Sequence, residues 1–528
     1  MQTRFMPFKI LAVAPFQITG EIIENPLPVP VNQATIDDAM AGMNVCAHIP
    51  IPSELCPAGA LDCQFKKLKD FHPDGLVQNN PFLSHLMEAV QFLSDAQTKK
   101  LSEPEIRERM KQWPDLPEIR LSFEKPTSGE KNSQTASSDA IDKILDMVSV
   151  PGASRAGSSL LSSGTAQIDA ILEKVLSHIF EDKGFRAAES AWRGLSLLLH
   201  QASSEADDVA FEIVPATINS LDGLLTGLTV GLIDRLPSLI IIDLPFDNSP
   251  FCTGLLEKIA IFSETLMIPA MVQASSRFMH LDSWNDLKRL SFIPHHLEQP
   301  MFAKWQALKN QEAANWLAVT CNRFLVRYPY GPDNSPRKSD FKETQLPWTG
   351  TVWAVAALMV QSHIKIGWPT RFTQWQNFKI ENLALHPGDA SVVMPTETLF
   401  DEDRLDQMAR AGIMALAAAK NKDMVFLPHE TAVTGLSFAY QLFVSRITQL
   451  VLWCKDNLPD ELSGESLENS VKTAFARFWE KSGRLLPENF QITVDRPDAD
   501  NRIPIRIDFH PSRDILPSGE RVVMDFFW

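Results

Sequence analysis

No apolar run in the 528-residue sequence approaches the roughly 20 residues that a membrane-spanning helix needs. The first 16 residues hold one arginine and a short apolar stretch that two prolines interrupt, and they lack a small-residue cleavage site. They therefore do not resemble a signal peptide. We expect a strand over 5–16 and a cytoplasmic protein without membrane insertion.

Positive charge is scarce. Lysine and arginine number 49 against 65 aspartates and glutamates, which gives a net charge of −16. Nucleic-acid binding and docking on anionic lipid both need basic patches, so this balance argues against either class of partner. The charge favours solubility and is compatible with a basic protein partner.

Short catalytic motifs are missing. The sequence contains no GxxxxGK(S/T), no GxGxxG after a strand, no GxSxG and no HExxH. The six cysteines show no CxxC spacing and are expected to be reduced thiols. His295 and His296 lie in a proline-bounded loop and are expected at the surface, while Asp243 and Asp247 flank a strand end, where capping or a turn explains them. We predict no catalytic residue, no cofactor and no metal.

The organisation of the chain is that of an α/β protein. A small N-terminal α/β unit is expected over 1–123, with a strand at its start, a Pro-rich connector at 25–32 and an amphipathic helix from Pro81. Helices and apolar strands then alternate over 165–485, which predicts a larger α/β domain with a sheet. The final segment, 486–528, is expected to form three β-strands.

A Ser-, Thr- and Gly-rich segment separates the two units. We predict a flexible linker over 124–164, with a short amphipathic helix at 140–150. The apolar face of that helix holds Ile141, Ile144, Leu145 and Val148. Either this helix docks in a partner's groove or it folds back on its own domain.

Three segments resemble a known family. FRAAESAWRGLSLLL (185–199) is similar to the F-x-x-x-E-x-x-W-R-G-L helix of the type VI secretion sheath large subunit. RFLVRYPYG (323–331) resembles a second segment of that subunit, and the stretch from IKIGWPTRF to DMVFLPHETA resembles a third. The hallmark residues of the first segment are Phe185, Glu189, Trp192, Arg193, Gly194 and Leu195. The first ~123 residues, with FKILAVAPF and DFHPDGL, resemble the small sheath subunit more loosely.

The resemblance implies a structural protein in which both subunits are fused, with mixed-sheet sheath-type domains and no enzymatic activity. Its members polymerise helically around an inner tube protein, contract to propel it, and join a baseplate. A Clp-family ATPase engages an N-terminal helix of the large subunit, which is the position of 140–150 here. The alternative is an adaptor that binds the sheath or baseplate without polymerising, and a soluble α/β enzyme is a third hypothesis.

Open helical polymers need contacts that do not close, and strand exchange supplies them. The C-terminal strand is rich in β-branched and aromatic residues, so its candidates for exchange are Val522, Val523, Met524 and Phe526. The hallmark residues are expected to act as scaffold. Within them, Glu189 and Arg193 are expected to form a local ion pair worth about 0.3–0.5 kcal/mol.

Overall fold

The computed structural model describes residues 6–18, 27–99, 101–119, 158–202, 208–388, 391–459, 461–500 and 502–528. The predicted helix at 140–150, with Ile141, Ile144, Leu145 and Val148, lies outside these residues. No helix in the described part of the chain is long and apolar enough to cross a membrane.

Two sets of elements make up the described chain. The strands are β1 (Phe8–Ala14), β2 (Val29–Val31), β3 (Val45–Pro50), β4 (Ala60–Phe65), β5 (Val209–Pro215), β6 (Leu239–Phe246), β7 (Ala270–Ala274), β8 (Leu317–Cys321), β9 (Phe324–Leu325), β10 (Trp348–Thr349), β11 (His386–Pro387), β12 (Val393–Met394), β13 (Ile413–Ala415), β14 (Ala417–Ala418), β15 (Val425–Phe426), β16 (Gln491–Val494), β17 (Pro504–Phe509) and β18 (Val522–Phe527). The α-helices are α1 (Ile36–Gly42), α2 (Pro73–Asn79), α3 (Pro81–Lys99), α4 (Glu103–Met110), α5 (Ser158–Glu181), α6 (Lys183–Gln201), α7 (Leu221–Gly231), α8 (Pro250–Leu266), α9 (Ile293–Leu297), α10 (Ala303–Lys309), α11 (Thr351–Ile366), α12 (Glu402–Arg410), α13 (Phe438–Asn457) and α14 (Gly464–Lys481).

A seven-stranded sheet organises the fold, in the order β13-β8-β7-β6-β1-β5-β2. All its pairs are parallel except β2 with β5. Its inner strands are mostly apolar, with single polar residues such as Lys9 and Asp243, which is typical of strands covered on both faces. Helices cover both faces: α6 and α11 share a core with one face, and α7 and α8 share a core with the other. The predicted mixed α/β fold class is confirmed.

Strand β1 lies in the middle of this sheet. It pairs with β5 from Phe8 to Ala14 on one side and with β6 from Ile10 to Val13 on the other. The predicted strand at 5–16 is therefore confirmed, and its neighbours follow it by about two hundred residues. The N-terminal region supplies two strands of this sheet, β1 and β2, and later parts of the chain supply the other five. The predicted boundaries at 123, 164 and 485 remain predictions.

The C-terminal residues form three strands, as the sequence predicts, and these strands pair in a separate antiparallel sheet in the order β16-β17-β18. This sheet packs against α14 through a cluster of aromatic rings. The ring of Trp479 lies 5.7 Å from that of Phe509, and the ring of Phe475 lies 5.0 Å from that of Phe490. Strands β16 and β18 are its two edges.

Candidate functional site: a buried ion-pair cluster and an open strand edge

The hallmark helix, α6, begins at a capped residue. Asp182 accepts a hydrogen bond from the backbone N–H of Phe185 at 2.8 Å, which satisfies one of the free amides of the first turn. Five of the six hallmark residues are buried: Phe185, Glu189, Trp192, Gly194 and Leu195. The sixth, Arg193, is the least buried. Burial of this helix face fixes the positions of the hallmark side chains.

Two aromatic hallmark residues contact the N-terminal region. The Phe185 ring lies 5.4 Å from that of Phe71 and 5.7 Å from that of Phe65. Trp192 donates its indole N–H to the carbonyl of Phe16 at 3.0 Å. The hallmark helix therefore adds side-chain contacts to the strand pairing that already joins the first ~123 residues to the remainder of the chain. The sequence predicted a scaffold role for both side chains but not these partners.

Glu189 is the centre of an ion-pair cluster. Its side chain is 4% exposed, and its Oε1 accepts from Arg193 Nε at 2.7 Å and from Arg327 Nε at 2.9 Å. Arg327 also donates to both oxygens of Glu343, at 2.6 and 2.9 Å. The Arg327 guanidinium lies 4.3 Å from the centre of the Tyr330 ring, a cation–π contact.

The electrostatics follow from burial and pairing. Burial opposes ionisation of Glu189, but Arg327 and Arg193 outweigh it and hold the pKa of Glu189 below its ordinary value. Burial likewise opposes the charge on Arg327, yet Glu189 and Glu343 outweigh it and raise the pKa of Arg327. Burial raises the pKa of Tyr330 to about 12. All these groups therefore keep fixed protonation states near neutral pH.

The predicted ion pair between Glu189 and Arg193 is present, but the small energy expected for it assumed an exposed pair. That figure applies to exposed pairs, whereas Glu189 is buried and shares its charge with a second arginine. Arg327 belongs to RFLVRYPYG, the second segment that resembles the family. Glu189 and Arg327 are 138 residues apart in the sequence, so no local pattern predicted their contact. The available signal was a second arginine, Arg327, in another segment that resembles the same family.

Gly194 and Leu195 complete the hallmark. Leu195 is fully buried, and a Cβ on Gly194 would lie 2.4 Å from Cδ1 of Trp353 in α11. The glycine therefore lets α6 and α11 approach closely.

The histidines, aspartates and cysteines considered in the sequence analysis lie in ordinary structural environments. His295 is exposed in α9, a short helix rather than a loop, and His296 contacts the carbonyl of Met279 at 3.0 Å. Asp247 accepts from the Ser249 amide at 2.9 Å, the local turn expected of it. Asp243 instead accepts from the Trp353 indole at 2.6 Å, and burial raises its pKa to about 6. All six cysteines are free thiols, and the described residues contain no cluster of three or more side chains able to hold a metal.

The second candidate site is the outer edge of β18. Met524 and Phe526 are directly opposite Ile507 and Ile505 of β17, and Trp528 exchanges two hydrogen bonds with Ile503. Because hydrogen-bonded pairs alternate along an antiparallel ladder, Val522, Met524 and Phe526 point their backbone groups at β17. The backbone groups of Val523, Asp525 and Phe527 therefore point away from the sheet.

Side chains on β18 alternate as well. Val522 is buried, while Met524 and Phe526 are partly buried against the same core. Val523 is 37% exposed and Phe527 is 50% exposed. Of the four residues predicted for strand exchange, only Val523 presents both its side chain and its backbone outward.

Two sequence families match the chain. The family VipB, described as "EvpB/VC_A0108, tail sheath N-terminal domain", matches residues 237–433. The family "Type VI secretion system, VipA, VC_A0107 or Hcp2" matches residues 2–119. This chain belongs to the type VI secretion sheath proteins. It carries both sheath subunit types in a single polypeptide, as the resemblance implied.

One curated relative is the "Type VI secretion system sheath protein TssC1" of Pseudomonas aeruginosa, 24% identical over 295 residues. The match covers 50% of this chain and 59% of that sheath protein. The chain therefore spans less than two thirds of the length of the curated relative it matches.

Solved structures of contractile systems show weak similarity. The baseplate of the anti-feeding prophage aligns at TM-score 0.36 and 9% identity, covering 64% of this chain and 76% of that chain. The contracted sheath complex of the extracellular injection system PVC gives 0.35 and 8%, with the same coverage. The sheath tail protein Lin1278 of Listeria innocua gives 0.31 and 11%, covering 60% of each chain. TM-scores this low do not establish a shared fold.

Proposed function

We propose that this chain is a structural protomer of a contractile sheath, which polymerises helically around an inner tube and contracts to propel it. The observation that carries the proposal is the outward-facing backbone in the centre of β18. At the two ends of this edge, the carbonyls of Arg521 and Phe527 accept from side chains of α13, so the available stretch is the centre of the strand. Its outward backbone groups at Val523 and Asp525 form a row that a strand from a second copy can extend.

The interlocked N-terminal region supports a protomer made of one chain. Because β1 pairs on both sides with strands from beyond residue 208, the two subunit types share one sheet and cannot slide past each other. Relative motion during contraction then takes place between copies, at the C-terminal sheet. A polymer of this kind keeps backbone hydrogen bonds between copies while their packing changes.

The partners follow from this role. We propose a second copy of the chain, an inner tube protein and a baseplate as its contacts in the cytoplasm, and a Clp-family ATPase that engages residues 140–150 for recycling. No nucleotide, cofactor or catalytic step is assigned to the sheath protomer itself.

Electron microscopy of the purified full-length protein in negative stain tests the proposal. We expect tubes or cogwheel-shaped rings from the intact chain. Removal of residues 521–528 should abolish them while leaving a folded monomer by circular dichroism. A persistent monomer or dimer of the intact chain over a wide concentration range would instead favour the adaptor, which binds a sheath or baseplate without polymerising.

A further inference from the structure

A cavity of about 320 Å³ opens at the carboxyl ends of three adjacent parallel strands. Its wall includes Pro15 directly after β1, Asp243 and Pro245 in β6, and Gln273 in β7. The chain leaves β1 towards β5 on one side, and later runs from β6 to β7 and β8 on the other. The pair β1/β6 is therefore the point at which the direction of winding reverses, where open α/β sheets bind ligands.

Basic side chains are concentrated in the wall of this cavity, although the whole protein carries a net charge of −16. Helix α6 turns Lys183, Arg186 and Arg193 towards it, and Arg323 follows β8. Three carboxylates also line it. Two of them, Glu189 and Glu343, are both bound by Arg327, whose guanidinium bridges them. Their charge is compensated within the cluster.

Two of the basic groups have no carboxylate partner in the described part of the chain. Arg186 donates to the side-chain oxygen of Gln345 and to the carbonyl of Leu346, both neutral acceptors. Burial and the nearby Arg323 lower the pKa of Arg186, and the carboxylates of Glu343 and Glu189 oppose this effect without outweighing it. Lys183 is exposed at the start of α6, and among the described residues it has neither a hydrogen-bond nor an ion-pair partner.

A buried hydroxyl in the same wall is also without a partner. Thr349 is 1% exposed and lines the cavity, and its Oγ1 forms no hydrogen bond with the described residues. Buried polar groups are normally paired, so this enclosed and unpaired hydroxyl, on a residue of the cavity wall, is a donor that a ligand atom would satisfy. Gln273, by contrast, already accepts from the Thr351 amide and donates to the Ala274 carbonyl.

We propose that this cavity binds a small oxyanion, a phosphate or carboxylate group, with Lys183, Arg186 and the Thr349 hydroxyl as its ligands. Arg and Lys recognise such groups through charge-assisted hydrogen bonds, and a cavity of this size is within the range of small-ligand sites. Asp243 is the remaining uncompensated carboxylate of the wall and opposes the anion. The ligand would join α6 to β10, and would stabilise the native chain. This inference does not depend on the proposed sheath role.

Calorimetric titration of the full-length protein with inorganic phosphate, at constant ionic strength set with NaCl, tests it. We expect saturable binding and a rise in the melting temperature that grows with phosphate concentration. Arg186→Gln and Lys183→Met should each weaken binding about tenfold or more. Asp243→Asn should act in the opposite direction and strengthen binding, since it removes the opposing charge.

Lys472→Met is the matched control, because Lys472 is an exposed lysine of α14 outside the cavity wall, and it should bind like the parent protein. Malonate is the second probe. Binding of both anions supports a general oxyanion site, whereas binding of phosphate alone or malonate alone identifies the ligand group as a phosphate or a carboxylate. Absence of saturable binding to either anion would overturn the proposal. Unchanged affinity in Lys183→Met would also overturn the proposal. Because Lys183 is exposed, this variant should fold normally even if Arg186→Gln does not.

Discussion

The ring of Trp353 lies directly against Gly194, where an added Cβ would come within 2.4 Å of Cδ1. Trp353 cannot easily move away, because it is fully buried and its indole donates to Asp243 at 2.6 Å. The hallmark glycine and the core helix α11 are thus fitted to each other.

Gly194→Ala should therefore destabilise the protein, although alanine normally favours a helix by about 1 kcal/mol over glycine. Overpacking in a core costs about 1–3 kcal/mol, so after the helix-propensity gain we expect a net loss of up to about 2 kcal/mol in the free energy of unfolding by urea denaturation. Gly223→Ala in α7 is the matched control, because nothing lies within 4 Å of its added Cβ. That variant should be neutral or slightly stabilised. Equal effects in the two variants would contradict the close contact.

Arg327→Met should be among the most damaging single substitutions. It leaves Glu189 and Glu343 buried without their shared cation, and breaking a buried pair in this way costs about 3–5 kcal/mol. Arg323→Gln, four residues earlier, removes a pair with Glu397 from a side chain that is 44% exposed and should cost below about 1 kcal/mol. The denaturation midpoints of the two variants compare these costs. A loss at Arg327 no larger than at Arg323 would show that the cluster contributes little.

Asp243 should give a stability change with pH. Its folded pKa is raised from 3.8 to about 6, so the native state holds a proton that the unfolded chain has already lost between these values. Stability therefore falls as pH rises through this window, by up to about 3 kcal/mol, and stays at the lower level above it. Asp243→Asn should be more stable than the parent at pH 7.5, and its advantage should disappear near pH 4. An advantage independent of pH would contradict the raised pKa.

The two regions should remain associated after the chain is cut between them. A protease recognition sequence inserted within 121–157 allows cleavage of the folded protein. Because β1 pairs on both sides with later strands and Trp192 bonds to Phe16, the fragments should elute together in size-exclusion chromatography without denaturant. Separation of the fragments under native conditions would contradict the shared sheet.

Assembly should depend on the outward backbone of β18. Val523→Pro removes an N–H that points away from β17, and an edge strand tolerates proline there, so the three-stranded sheet should persist. We expect its sedimentable polymer to fall sharply relative to the parent protein. Val523→Thr keeps the amide and a β-branched side chain, and it should sediment normally. Normal sedimentation of both variants would exclude this edge as the site of strand addition.

Local patterns predicted the elements better than their partners. The apolar run FKILAVA predicted β1, and the helical spacing after Pro81 predicted α3, because both signals depend on neighbouring residues. The position of β1 between β5 and β6 depends on parallel pairing across about two hundred residues, which no local pattern encodes. Strand β3 was missed, because its alternation is short and follows a helix closely.

The candidate sites divide in the same way. The resemblance to a family identified Glu189 and Arg193, which are neighbours on one helix turn. Arg327 and Trp353 reach the same helix from 138 and 159 residues away, so their contacts appear only in three dimensions. The orientation of Val523 depends on the register of β18 against β17, which the sequence of β18 alone does not determine.

Helical reconstruction by cryo-electron microscopy of tubes assembled from the full-length chain tests the central claim most directly. The account predicts one chain per repeating unit, with a strand of a neighbouring copy paired to β18 through Val523 and Asp525. Tubes in which the C-terminal sheet keeps three strands and a free β18 edge would contradict it.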